Sequence, residues 1–171
     1  VLKAAEYIDD SKPILVSYCD FFAGWNYKKF KYFLQKHDPD GAIPCYTGFH
    51  PHLIHKSNLY ATCETNQNFQ LKKIREKFQL NKDKFQDLQS PGLYYFKNGK
   101  LLKKYCKKLM NTKNSINGEY YMSLPFNAMV NDKLNILCPP IVKYFCQWGT
   151  PKDFEEYNYW LSIVKNLSKK L

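Results

Sequence analysis

The sequence predicts an α/β fold: a mixed, mostly parallel sheet flanked by helices, in one domain over residues 1–171. Two patterns lead there. Apolar runs of strand length alternate with stretches of helical periodicity. Several runs are joined by short polar turns that fit hairpins, which makes the sheet mixed. A third observation is one run, Ile14-Leu15-Val16-Ser17-Tyr18-Cys19, which is apolar without alternation and ends on Asp20. Such a run fits a strand covered on both faces, as in parallel sheets. In open α/β sheets ligands bind just past the carboxyl ends of strands. Asp20 is therefore a candidate for holding a metal or a substrate hydroxyl.

The elements follow in order. Residues 1–8 fit the end of an amphipathic helix, with Leu2, Ala5 and Ile8 inward. Pro13 opens the strand to Cys19. Trp25 to His37 is helical, because Trp25, Phe30, Phe33 and Leu34 form a rough stripe. Asp38-Pro39-Asp40-Gly41 is a turn. Ala42 to Gly48 fits a second strand, and Leu59 to Thr65 and Phe69 to Lys77 a hairpin turning at Asn66-Gln67-Asn68. Gly92 to Phe96 is a strand that passes through Asn98-Gly99 into a helix over Lys100 to Met110. A helix is expected from Glu119 to Val130, and short strands at Leu134 to Leu137 and Ile141 to Phe145. Thr150 caps the last helix and Pro151 occupies its first position.

Composition narrows the function classes. Net charge is +11, yet Arg75 is the only arginine among 26 basic residues. Base readout leans on bidentate arginine, so no nucleic-acid partner is expected. No apolar run reaches transmembrane length and no signal peptide is visible, so no membrane partner is expected. The six cysteines include no CxxC pair, and several lie in apolar runs. They fit free thiols in a reducing cytoplasm.

Five segments carry candidate chemistry. Asp20 is a hard carboxylate suited to Mg²⁺; the alternative is a cap or turn acid before Trp25. Arg75-Glu76-Lys77 ends a strand, so Glu76 can accept sugar hydroxyls and Lys77 can meet a phosphate; the alternative is a solvated edge. Gly48-Phe49-His50-Pro51-His52 and His55 gather three histidines near Cys45. Their spacing fits no common zinc pattern, and a pocket-lining role for His50 competes with purely local hydrogen bonding. In Ser90-Pro91-Gly92-Leu93-Tyr94-Tyr95-Phe96, Gly92 permits close approach of a ligand and Tyr94 or Tyr95 can flank it; the alternative is core packing. Gln147-Trp148-Gly149-Thr150-Pro151-Lys152-Asp153 leads into a helix N-terminus suited to a phosphate, or is simply a well-capped helix start. No Walker or dinucleotide loop and no nucleophile elbow is present.

Taken in order, Val16-Ser17-Tyr18-Cys19-Asp20, Gly48-Phe49-His50-Pro51-His52, Glu76-Lys77, Gly92 to Phe96, Gly118-Glu119-Tyr120-Tyr121 and Trp148-Gly149-Thr150-Pro151-Lys152-Asp153 resemble a sugar nucleotidyltransferase of the sugar-1-phosphate pyrophosphorylase type. The resemblance implies the C-terminal part of that Rossmann-like fold. It implies transfer of a nucleotidyl group from a nucleoside triphosphate to a sugar phosphate with release of pyrophosphate, in the cytoplasm, supplying nucleotide-sugars for polysaccharide biosynthesis. It assigns Mg²⁺ to Asp20, sugar hydroxyls to Glu76, the sugar phosphate to Lys77, and close sugar approach to Gly92. Many relatives place a second metal acid just before the final Gly-Thr, where this chain has Gln147, a neutral oxygen donor, or Trp148 if the frame shifts by one. Relatives also begin with a Gly-rich triphosphate-binding segment, whereas only 19 residues precede Asp20 here. A chain so built is expected to be inactive alone, or to be a non-catalytic sugar-phosphate-binding module. It is also expected to leave an open edge beside the Ile14 strand and to form a homo-oligomer through it.

Overall fold

The computed structural model describes residues 1–54, 59–112 and 115–168. A 3₁₀ segment, Leu2–Tyr7, stands where the amphipathic helix was expected; it is kinked at Ala4 and buries no side chain. The ordered elements then run β1 (Ile14–Ser17), β2 (Phe21–Gly24), α1 (Tyr27–His37), β3 (Gly41–Ala42), β4 (Thr62–Thr65), β5 (Leu71–Arg75), β6 (Leu93–Phe96), α2 (Gly99–Thr112), α3 (Pro125–Asn131), β7 (Ile136–Leu137), β8 (Tyr144–Gln147) and α4 (Pro151–Ser168).

Four strands form the main sheet in the order β1-β6-β3-β7. Strand β6 pairs antiparallel with β1, matching Ile14 to Phe96 and Ser17 to Leu93, and antiparallel with β3. Among the described residues only β3 and β7 pair in parallel. The α/β class with a mixed sheet is as the sequence predicts, but the expectation of mostly parallel pairing is corrected. A continuous apolar run reports that both faces are covered, not which way the neighbouring strand points. Strand β6 enters between β1 and β3 from the opposite direction, and its Leu93, Tyr94 and Phe96 are buried. The β1 side chains Ile14, Leu15 and Val16 are only half-buried, because β1 has a single partner and lies at the sheet edge.

Two ribbons flank this sheet. The β4–β5 hairpin turns where expected: the Asn66 side-chain oxygen accepts from the backbone N–H of Asn68 at 2.9 Å and of Gln70 at 3.0 Å. The β2–β8 ribbon pairs Phe21 with Gln147 and Gly24 with Tyr144. Strand β2 was not expected, since four residues after a turn are too short to show a period. Pairing with it moves β8 towards Gln147 from the expected Ile141 to Phe145. The predicted strand over Ala42 to Gly48 is reduced to β3; beyond it Tyr46 exchanges backbone hydrogen bonds with Gln89.

Local chemistry explains the helices. Asn26 caps α1 by accepting from the Lys29 N–H at 2.9 Å, and Asp38 ends it in the left-handed region at φ 40°. Asn98 caps α2 by accepting from Leu101 N–H at 2.9 Å. Gly99 is needed there because an added Cβ would sit 2.2 Å from the Asp9 carbonyl oxygen. The helix expected from Glu119 is confined to α3, which begins at Pro125. Proline suits a first helical position but interrupts a helix that runs through it.

The core packs Ile43, Ile74, Phe96, Leu102, Phe126, Met129 and Ile136 between the sheet and α2 and α3. Within it the thiols of Cys45, Cys63 and Cys138 lie within 4.8 Å of one another, and all six cysteines are free. Among the described residues no helix is long and apolar enough to cross a membrane.

Beside the open edge, a groove of about 220 Å³ runs between β1 and α1, lined by Ile14, Leu15, Tyr27, Phe30, Leu34 and Tyr95. An unpaired edge beside an apolar groove is a template for another chain. At micromolar concentration the 171-residue chain is expected to sediment as a dimer or larger species. Leu15→Lys, which puts a charge in the groove, should shift it toward monomer. A strictly monomeric wild type in analytical ultracentrifugation contradicts this.

Candidate functional site

The chain between β1 and β2 is tied down on both sides. Tyr18 N–H donates to the Gly92 carbonyl at 3.1 Å, and Trp148 N–H donates to the Asp20 carbonyl at 2.8 Å. Main sheet and β2–β8 ribbon thus meet at a tight turn that carries Asp20. An open cleft of about 170 Å³ lies at this junction, and Tyr18, Asp20, Glu76, Gly92, Tyr94 and Gln147 all line it. The turn is needed because the strand stops at Ser17, earlier than the apolar run suggests.

Asp20 is exposed, and its carboxylate makes no hydrogen bond or ion pair among the described residues. Gln147 ends β8 on the neighbouring strand. Both side chains rest against Gly149: a Cβ added there would lie 3.3 Å from Asp20 Oδ2 and 3.2 Å from Gln147 Nε2. The Gln147 atom nearest that point is its nitrogen, which cannot ligate a cation, so the donors the pair can offer Mg²⁺ are the Asp20 carboxylate and the Gln147 amide oxygen, both hard oxygens. These two residues therefore fit the ion that the resemblance implies.

Glu76 follows β5 and accepts a hydrogen bond from the Ser123 hydroxyl. Burial is the main cause raising its carboxyl above the ordinary glutamate range; the Ser123 bond and the Lys77 charge oppose that shift. Gly92 has φ +94°, and an added Cβ would sit 2.6 Å from the Tyr18 ring. The Gly92 backbone is thereby pressed against the cleft wall formed by Tyr18. Tyr94 is 2% exposed, meets Tyr18 edge-on at 6.2 Å between ring centroids, and packs on Phe126 at 5.7 Å. Burial pushes its phenol well up, so it serves as a neutral wall.

Two sequence-predicted residues stand elsewhere. Lys77 does not line the cleft; its ammonium lies 5.3 Å from the centre of the Tyr121 ring, outside a ring that does. Its backbone φ of 51° turns the chain away directly after Glu76. His50 does not line the cleft either. It is 5% exposed and packs 4.6 Å from the Tyr46 ring, which stacks on Phe145 at 5.0 Å. Burial lowers its imidazole pKa, so it is neutral at pH 7. His52 Nε2 pairs with the Tyr46 hydroxyl at 2.9 Å. His55 lies outside the described residues, and Cys45 packs with the other thiols rather than with the histidines.

Residues to which the sequence assigns no role complete the cleft. Tyr18 belongs to the apolar run that predicts a buried strand, but it stands one residue past the end of β1 and lines the cleft. Tyr60, with its phenol raised chiefly by burial, and Tyr121 add two more hydroxyl-bearing walls. Ser123 holds Glu76 and is fully buried. Tyr18 and Tyr121 lie within quoted motifs, whereas Tyr60 and Ser123 adjoin none, and no local pattern marks those two.

The fold is similar to that of solved sugar nucleotidyltransferases. A nucleoside-diphosphate-sugar pyrophosphorylase from Vibrio cholerae RC9 superposes with TM-score 0.66 at 17% identity, covering 90% of this chain and 59% of that one. A putative glucose-1-phosphate thymidylyltransferase from Bacillus anthracis, in complex with a sucrose, gives 0.66 at 14% identity, covering 93% and 58%. HddC from Yersinia pseudotuberculosis gives 0.54 at 18% identity, covering 91% and 57%, and is also known complexed with GMP-PN. The chain thus spans less than three-fifths of the length of each of these solved proteins. No family profile and no curated protein sequence matches it.

Two outcomes follow from the cleft geometry. Gly92→Ala combines positive φ with the Tyr18 clash and should cost about 1–3 kcal/mol of stability in denaturant titrations. Glu76 carries a raised folded-state pKa, so the folded chain holds its proton more tightly than the unfolded one. Stability should therefore fall as pH rises from the ordinary glutamate value of 4.5 through the raised one. Glu76→Gln should flatten that fall and leave the chain at least as stable at pH 7. A variant that loses stability at pH 7 while keeping the slope contradicts this account.

Proposed function

We propose that this chain is the acceptor- and metal-binding part of a nucleotidyltransferase that uses a sugar-1-phosphate or a similar phosphorylated compound. The observation that carries the reading is the convergence of Asp20, Gln147, Glu76 and Gly92 on one cleft, in a fold shared with sugar nucleotidyltransferases.

In this reading a phosphate oxygen of the acceptor attacks the α-phosphorus of a nucleoside triphosphate. One P–O bond forms, the bond to the β-phosphate oxygen breaks, and pyrophosphate leaves with that electron pair. No protein nucleophile is required; positioning and charge neutralisation do most of the work. Asp20 and Gln147 would hold Mg²⁺, whose chemistry when bound is to neutralise the phosphate charges. Glu76, fixed by Ser123, accepts hydrogen bonds from sugar hydroxyls, and its partial desolvation strengthens them. Gly92 brings backbone close to the acceptor. Tyr18, Tyr94 and Tyr121 give the ring apolar walls. Lys77 is outside the cleft lining, with its ammonium over the Tyr121 ring, and would meet a phosphate only by leaving that ring.

A second reading is a binding module that holds the phosphorylated acceptor without turning it over.

The test is pyrophosphate release by the protein as encoded, over a panel of nucleoside triphosphates and sugar-1-phosphates. One pair should be turned over, and Asp20→Asn should reduce its kcat/KM by about 100-fold or more. Full activity in Asp20→Asn contradicts the assignment. Calorimetric binding of a sugar-1-phosphate with no turnover of any pair supports the binding module.

A further inference from the structure

The Gln147 side chain is held by a carboxylate that belongs to no part of the cleft lining. Its Nε2 donates to Asp153 Oδ2 at 3.0 Å. That same oxygen accepts from the Thr150 N–H at 3.0 Å and the Thr150 hydroxyl at 2.7 Å, while Thr150 Oγ1 accepts from the Asp153 N–H at 3.2 Å. Thr150 and Asp153 thus form a reciprocal cap at the start of α4. A carboxylate only accepts, so the amide atom that faces it must be the nitrogen. The amide oxygen is then turned away from Asp153. It accepts no hydrogen bond among the described residues, and its side chain lines the cleft with Asp20.

We propose that Asp153 is a positioning residue: it locks the Gln147 amide with nitrogen toward α4 and oxygen toward the cleft, so that an uncharged side chain presents a metal-binding oxygen beside Asp20. The proposal rests on the metal-binding reading given above. It also accounts for a neutral residue at position 147. A carboxylate there would face Asp153 at hydrogen-bond distance with no proton between them, and two like charges so close oppose each other. Gln147 and Asp153 work as one unit in which the charge sits on the cap and the oxygen donor sits in the cleft. A side-chain amide is free to rotate by half a turn. Without Asp153 the nitrogen, which cannot ligate a cation, occupies the cleft part of the time. Supporting residues behind metal ligands commonly change affinity by about 10–100-fold when removed.

The test is Mn²⁺ binding to the full chain, read from the free Mn²⁺ signal in electron paramagnetic resonance. Asp153→Ala should weaken binding about 10-fold in the wild-type background. In a Gln147→Glu background the same substitution should strengthen binding, because it removes the opposing carboxylate. Thr150→Ala removes the cap and lowers stability but keeps the Asp153–Gln147 bond, so Mn²⁺ affinity should stay within about twofold of wild type. Slow exchange of the Gln147 side-chain amide protons in NMR should be lost in Asp153→Ala and kept in Thr150→Ala. Equal weakening by Asp153→Ala in both backgrounds, or no effect in either, overturns the positioning role. The companion variant Asp20→Asn separates the two claims. Binding that needs Asp20 but ignores Asp153 sinks the positioning role alone. Binding indifferent to Asp20, or absent from wild type, sinks the metal reading and this proposal with it.

Discussion

Two backbone hydrogen bonds, from Tyr18 to the Gly92 carbonyl and from Trp148 to the Asp20 carbonyl, fasten three consecutive residues between two separate sheets. Most of the cleft depends on that fastening. The first bond brings Gly92 so near Tyr18 that a side chain does not fit between them. The second aligns β8 so that Gln147 faces the strand that follows Asp20. Backbone groups rarely go unpaired when buried, so a strand that leaves one sheet must find partners in the next. Here that requirement turns the chain sharply and leaves an acid at the bend with its carboxylate outward. The site follows from how the main chain is satisfied, and the side chains are then placed by it.

Charge is distributed on two scales. The whole molecule carries +11, spread over lysines, a field that attracts phosphate-bearing ligands from a distance. The cleft itself offers carboxylates, Asp20 and Glu76, which repel such ligands at contact. The two scales are compatible when a cation stands between carboxylate and phosphate, and when the second acid is set to meet hydroxyls. The partial burial of Glu76, with one hydroxyl donor from Ser123, suits a carboxylate waiting for further donors.

Much of this was legible in the sequence because local rules decided it. The Asn66 turn, the Thr150 cap and the Asn98-Gly99 junction are set by side chains within four residues, and they stand where their chemistry requires. Asp20 follows β1, Gly92 precedes β6, Tyr94 lies on β6, Glu76 follows β5 and Gln147 ends β8, so the ends of strands from three separate sheets meet at one cleft. What was not legible was non-local. The direction of β6 is chosen by its neighbours, and β2 exists only because β8 pairs with it. His50 reads as a pocket-lining loop residue, yet it is buried against Tyr46, which stacks on Phe145, outside the cleft. Lys77 reads as a natural partner of Glu76, yet a single positive φ sends the two side chains apart.

The three thiols of Cys45, Cys63 and Cys138 give the fold a chemical clock. They come from separate segments, lie within 4.8 Å of one another and are shielded from solvent while the core is closed. An oxidant reaches them only when the core opens, and a cross-link made then between the wrong pair prevents reclosing. In air the lifetime of the protein is then set by how often the core opens, a rate, and less by its equilibrium stability. Reductant should lengthen that lifetime without changing the folded state.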